Sequence, residues 1–256
     1  MFFNNTQCSS PNDIYDQFVN FFKSVYVCDK CTSNYCLKNS YVNSNLNTCN
    51  LYLSAVSILD GLCRIDERKS CGPDKIPRVF LKKCANNLLT PLEYIFNISL
   101  SSGIFPDKWK PSYTVPIFKT GNRNNIENYR GIAILSTFGK LFESLVTTFL
   151  TYHISSFISS NQHDFMKGRS TCTNLIEFVN FSVGKIEEGA QIDVIYTDIC
   201  KAFDSLIHSM LIIKLNNIGI HSSMLAWIQS YFSDRQQFVK MGGWTSKPIN
   251  VTSGVL

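Results

Sequence analysis

The chain has 256 residues, 45% hydrophobic and 17% charged, with a net charge of +5. That composition excludes a disordered polyelectrolyte and gives enough length for a sizeable core in one large domain or two small ones. No apolar run reaches the roughly 18 residues of a membrane span, and "MFFNNTQCSS" lacks the basic start of a secretory signal, so an intracellular chain with no membrane partner is expected.

In chain order, residues 1–50 read as an N-terminal helix followed by an Asn/Ser-rich linker. Ser10 is placed as N-cap and Pro11 at the first helical position, with Ile14, Phe18, Phe21, Phe22 and Val25 on one face. Cys28, Cys31, Cys36 and Cys49 give a C-x2-C-x4-C-x12-C spacing, which lacks the two tight ligand pairs usual for zinc. The ten cysteines are expected as reduced thiols, and a zinc-stabilised module on those four is an alternative. Leu51–Leu62 is helix-like, and "KSCGPDKIP" is a turn centred on Gly72-Pro73. Pro77 starts a helix carrying Val79, Phe80, Cys84 and Leu88; Thr90-Pro91 opens another, closed by Gly103.

"YTVPIFK" (113–119) alternates and holds Pro116, which suggests an edge strand. A long helix is expected from Phe138 to about Ile158. The β-branched and aromatic run Val194-Ile195-Tyr196 marks 193–198 as a buried strand ending at Asp198. Helices follow around Met210–Asn217 and Leu225–Phe232, and "QQFVKMGG" reads as a hairpin strand. The fold class is α+β, with a few mostly antiparallel strands.

Four basic clusters, Lys82-Lys83, Lys108-Lys110, Lys119-Arg123-Arg130 and Lys167-Arg169, are interleaved with Trp109, Tyr113, Phe118 and Tyr129. One such cluster usually means a solvated face; four with aromatics point to a phosphate-lined groove. Asp198, taken alone, suits a helix cap, a salt bridge to Lys201 or a metal ligand. The four histidines show no metal-ligand spacing.

"TDICKAFDSLIH" resembles the first catalytic motif of reverse transcriptases from non-LTR, LINE-type retrotransposons, Asp-x-x-Lys-Ala-Phe-Asp followed by His. "KSCGPDKIP" (69–77), "FPDKWKPSYTVPIFKTG" (105–121), "NYRGIAILSTFGKLFE" (128–143), "NQHDFMKGRSTCTNL" (161–175) and "RQQFVKMGGWTS" with "SGV" resemble further blocks of that family, in the same order. The resemblance runs from about Ile14 to Leu256 and is tight from Lys69 onward. It departs at Gly131, Ala133 and Asp164, where the family usually has Pro, Ser and Gly.

The resemblance implies the fingers and part of the palm of a right-hand polymerase, with a helical N-terminal extension: 1–50 extension, 51–190 fingers and start of the palm, 191–256 palm portion. It implies RNA-directed DNA polymerisation by two-metal nucleotidyl transfer, with two magnesium ions, an RNA template, a DNA primer and deoxynucleoside triphosphates as partners. By position, Asp198 is then the catalytic carboxylate, with the Ile199 carbonyl as a further metal ligand. Lys119 and Arg130 grip the triphosphate, against the plainer reading of solvated charge. Phe203 lies against the sugar, against the plainer reading of a core aromatic. Lys69, Lys167 and Arg169 handle template, and Asp204 anchors the turn.

No Asp-Asp pair occurs in the sequence, although the family carries one, and the chain stops at "VTSGVL" after a turn signal. It is therefore expected to be a fragment, a truncated gene model or a degenerate element, and inactive alone. The alternative is a non-catalytic nucleic-acid-binding remnant. The implied compartment is a nuclear or cytoplasmic ribonucleoprotein.

Overall fold

The computed structural model describes residues 1–3, 6–7, 10–27 and 51–255. Cys28, Cys31, Cys36 and Cys49 lie outside the described residues. The chain divides into two compact units, Met1–Leu150 with Lys201–Leu256, and Thr151–Cys200.

In the first unit, β1 (Phe2–Phe3) and β2 (Thr6–Gln7) pair antiparallel. α1 (Pro11–Ser24) begins as its sequence dictates: Ser10 accepts a hydrogen bond from the Asp13 amide at 3.1 Å, and proline fills the first turn. Its apolar stripe buries Phe18, Phe21 and Phe22 in one cluster with Ile126, Val239 and Ile249, so α1 is built into the core of this unit. α2 (Ala55–Cys63), α3 (Arg78–Lys83) and α4 (Ala85–Ser102) follow.

The helix expected from Pro77 ends at Cys84, and α4 starts at Ala85 rather than at Thr90-Pro91. Pro91 sits inside α4. Its missing amide costs one helical bond, but the continuous face of Ala85, Leu92, Phe96, Ser99 and Leu100 is buried along the whole helix. Tertiary burial outweighs the break. Gly103 closes α4 at φ 70°, and an added Cβ there would lie 2.8 Å from that of Ala226, so the glycine also lets the helix end meet the later helix Ser222–Phe232.

β3 (Ser112–Phe118) and β4 (Tyr129–Leu135) form an antiparallel hairpin; α5 (Thr137–Ile154) follows. After the second unit come α7 (His208–Asn217), α8 (Ser222–Phe232), β5 (Gln236–Met241), β6 (Trp244–Thr245) and β7 (Ile249–Asn250). The sheet order is β4-β3-β5-β6, with β7 beside β5; only β3 and β5 run parallel. β3 is thus central, not the edge strand expected from Pro116. The proline is tolerated because β5 flanks only Ser112–Thr114, which leaves Pro116 paired on one side alone, opposite Gly131.

A second core is aromatic. Phe96 stacks on Phe142 at 4.3 Å, and Trp227 meets Phe142 and Phe105 edge-on at 5.0 and 5.3 Å. The Trp227 indole donates to Ser99 Oγ at 3.0 Å.

In the second unit, α6 (Thr171–Glu187) is capped by Ser170, whose hydroxyl and backbone exchange hydrogen bonds with Thr173. Residues 191–199 form no strand. The expected strand at 193–198 has no sheet neighbour among the described residues, and an unpaired strand leaves its backbone groups and apolar face without partners.

Candidate functional site

Strand alternation and antiparallel register sort the β3–β4 hairpin into two faces. Tyr113, Val115, Ile117 and Lys119 share one face with Ile134, Ile132 and Arg130, Arg130 lying opposite Ile117. Lys119 and Arg130 are both exposed, and Ile117 and Ile132 are each 50% exposed, so this face of the hairpin is open. Among the described residues neither cation enters an ion pair. The structure brings the two together as neighbours on diagonal positions.

The opposite face of the hairpin is covered by α1. Tyr129 takes the edge of Phe18 at 5.1 Å, and a Cβ on Gly131 would come within 3.0 Å of Phe22 and 2.7 Å of Thr114. Glycine here lets α1 approach, while the ladder bond register fixes Arg130 without a proline after it. The connecting turn is held too. The Arg123 guanidinium lies 5.0 Å over Phe118, and the Tyr129 hydroxyl donates to the Arg123 carbonyl at 3.0 Å.

The 69–77 block docks on the end of β4. Gly72 is buried with its Cα facing the Leu135–Ser136 backbone; a Cβ would meet the Leu135 carbonyl oxygen at 2.5 Å. Asp74 accepts from the Ser136 hydroxyl at 2.5 Å and from the Ile76 amide at 3.2 Å. Gly72 and Asp74 therefore hold the block in place, and Lys69 is left exposed.

The Lys201–Leu206 turn is pinned to residues 253–255. The Val255 amide donates to Phe203 O at 3.0 Å, Gly254 N to Leu206 O at 2.7 Å, and the Ser253 hydroxyl to Asp204 O at 2.7 Å. His208 Nε2 donates to the Gly254 carbonyl at 2.7 Å, its ring stacked on Phe232. Phe203 is 58% exposed above this clamp. The Lys201 ammonium lies 5.5 Å over the Phe21 ring. The motif resemblance already carried His208 and the "SGV" of Ser253–Val255; the hydrogen bonds that join them are what the structure adds.

Burial raises the Asp204 carboxyl, and the Lys201 charge offsets only part of it. Burial, with Asp204 second, pushes the Tyr26 phenol up. A carboxyl raised in the folded state contributes stability that is intact below its ordinary value and lost as pH climbs through the raised one. Asp204→Asn should therefore raise the urea midpoint near neutral pH and leave it unchanged in acid below the ordinary aspartate range. A variant less stable than wild type at neutral pH contradicts this.

In the second unit, Asp198 is exposed and enters no ion pair among the described residues; Ile199 is 74% exposed beside it. The Arg169 guanidinium donates to the carbonyls of Ser160 and Gln162, which ties the loop before α6, and Lys167 is exposed. The buried His163 ring spans Thr173 at 2.9 Å and Glu177 at 3.2 Å. The left-handed residues of this loop are Phe165, φ 61°, and Gly168, φ 80°, so Asp164, which stands where the family usually has glycine, is not in that strained region.

The family described as "Reverse transcriptase (RNA-dependent DNA polymerase)" matches residues 117–255. This chain belongs to that family. It is 26% identical over 211 residues to the RNA-directed DNA polymerase from mobile element jockey of Drosophila melanogaster, covering 80% of this chain and 23% of the relative. It is 28% identical over 198 residues to a putative 115 kDa protein in the Drosophila type-1 retrotransposable element R1DM, covering 75% and 18%. Similarity extends to a retrovirus-related Pol polyprotein from element R2 of Popillia japonica, 24% identical, covering 62% and 22%. The chain spans about a fifth of the length of these relatives.

This reverse transcriptase segment thus has a mixed helix and sheet fold, and the family is one of nucleotidyltransferases. The matched residues include Lys119, Arg130, Lys167, Arg169, Asp198 and Phe203, and leave out Lys69. No helix among the described residues is long and apolar enough to cross a membrane. No group of three His, Cys, Asp or Glu that would hold a metal occurs among the described residues. Asp198 and the Ile199 carbonyl offer one carboxylate and one backbone oxygen of the kind magnesium takes, leaving the rest of an octahedral shell to other oxygens.

Proposed function

We propose that this chain supplies the fingers and part of the palm of a retrotransposon RNA-directed DNA polymerase, and that its open β3–β4 face holds phosphate. One observation carries the reading: Lys119 and Arg130 stand together within the matched residues on an exposed sheet face, with no carboxylate partner among the described residues. Two unpaired cations on one rigid hairpin favour a polyanion, the arginine forking onto phosphate oxygens and the lysine acting as a point charge.

In the reaction of this class, a primer 3′-oxygen bonds to the α-phosphorus of a deoxynucleoside triphosphate and the α–β bond breaks, releasing pyrophosphate; the hydroxyl proton passes to solvent. Lys119 and Arg130 would orient the triphosphate and hold the adjoining backbone phosphates of the nucleic acid. Phe203, its backbone pinned by Val255, would lie against the sugar and select against a 2′-hydroxyl. Lys69 and Lys167 would meet template phosphates, and Arg169 would keep the loop of Lys167 in shape. Two magnesium ions would supply activation of the attacking oxygen and stabilisation of pyrophosphate, with Asp198 and the Ile199 carbonyl as ligands. The residues present do not complete that site.

Catalytic groups that act as a unit lose most of their effect when members are missing. The 256-residue chain is accordingly expected to bind a primed RNA template and fail to extend it with deoxynucleotides and magnesium. Measured extension by this chain contradicts the inactivity. The reading as a non-catalytic nucleic-acid-binding remnant is favoured by the solitary Asp198. Under that reading Asp198→Ala changes neither binding nor its magnesium dependence, whereas under the active-site reading nucleotide binding responds to magnesium through Asp198.

A further inference from the structure

The open sheet face does not end at Arg130. β5 lies parallel to β3 with Phe238 beside Tyr113, so Lys240, two residues on, points to the same side as Lys119 and Arg130. Its ammonium leans back over the Tyr113 ring, 4.4 Å from the centroid, and among the described residues it enters no ion pair. Tyr113 lies opposite Ile134, and Arg130 opposite Ile117. Tyr113 and Ile117 are four residues apart on one strand, about 13 Å at the usual rise. The cationic head of Lys240 therefore sits at the far end of the face from Arg130. Between them lie Val115 and the half-exposed Ile132; beside Lys240 are the half-buried rings of Tyr113 and Phe238, edge to face at 6.4 Å.

We propose that Lys240 is a nucleic-acid-backbone contact, and that a single strand runs along β3 from the Lys119–Arg130 end to Lys240. The inference rests on the phosphate-holding reading of Lys119 and Arg130 and extends it to a residue outside that pair. Three cations strung along one strand direction match phosphates repeated along a polymer, rather than one compact triphosphate. The cation held over Tyr113 loses little freedom on binding, and aromatic rings on the same face offer bases a stacking surface.

The test uses the whole chain, with a fluorescein-labelled single-stranded RNA of about 12 nucleotides and, separately, a labelled deoxynucleoside triphosphate, each titrated by anisotropy at several salt concentrations. Lys240→Ala is expected to weaken RNA binding roughly 3- to 10-fold and lower its salt slope by about 0.7, the value of one single-strand phosphate contact. Triphosphate binding should not change, and Lys240→Arg should keep RNA affinity. Circular dichroism confirms that each variant is folded. Unchanged RNA affinity and slope in Lys240→Ala overturn the proposal, as does an equal loss of triphosphate binding, which would place Lys240 in the nucleotide grip. If Lys119→Ala/Arg130→Ala weakens RNA binding while Lys240→Ala does not, this inference alone fails. If the wild-type chain binds neither ligand, the phosphate-holding reading fails with it.

Discussion

Gly72→Ala is expected to destabilise the first unit by about 3 kcal/mol, the upper end for overpacking. Its Cα faces the Leu135 carbonyl oxygen, the Leu135 carbonyl carbon and the Ser136 amide, which a Cβ would approach to 2.5, 2.6 and 2.6 Å. All three are backbone atoms of the β4–α5 junction, so no side chain can rotate away. The strand end must shift, and with it the Asp74–Ser136 hydrogen bond that clamps the same contact. Trp109, Trp227 and Trp244 all lie in this unit, so their fluorescence in urea reports its unfolding. Gly243→Ala is the control, since nothing lies within 4 Å of the Cβ it adds; its midpoint should stay close to wild type. Equal midpoints for the two variants would show that the 69–77 block does not dock as described.

The second large effect concerns function. Lys119→Ala/Arg130→Ala is expected to weaken binding of a primed RNA template about 150-fold, because two exposed charge-assisted bonds to phosphate, each at the low end of about 1.5 kcal/mol, contribute about 3 kcal/mol together. Both side chains are exposed and lie on an uncovered face, so truncation leaves no cavity, and stability in urea should stay within about 0.5 kcal/mol. The loss should shrink as salt rises, since the contacts act through released counterions. A stable double variant that binds like wild type would leave the hairpin face with no role in phosphate binding.

What the sequence made legible was local. Ser10-Pro11 announced the start of α1, Gly103 the end of α4, and Gly242-Gly243 the β5–β6 turn, because caps and tight turns depend on a few neighbouring residues. The misreadings were contextual. Pro116 looked like an edge signal, yet the strand is central and the proline merely lies past the end of β5. Thr90-Pro91 looked like a helix start, yet burial along α4 carries the helix through it. Val194-Ile195-Tyr196 had strand chemistry but no neighbour to pair with among the described residues.

The candidate site shows the same division. The motifs identified the family and named Lys119 and Arg130, whereas strand register showed that they share one open face. Gly131, a departure from the family's usual proline, turned out to be the space that Phe22 of α1 needs. Nothing local to residue 131 could reveal a contact with residue 22. Lys240 was similarly silent, seen only through the parallel pairing of β3 and β5, and His208, though legible in its motif, gave no sign of its bond to a carbonyl 46 residues away.

The central claim is that nucleic acid lies on the face of the sheet bearing Lys119, Arg130 and Tyr113, opposite the face covered by α1. Photocrosslinking the whole chain to a 4-thiouridine-substituted RNA, with the attached peptides mapped by mass spectrometry, tests it directly. The account predicts crosslinks at Tyr113 and Phe238, which weaken when Lys119 and Arg130 are replaced by alanine. Crosslinks confined to α6, or to the α4 surface around Tyr94, would contradict it.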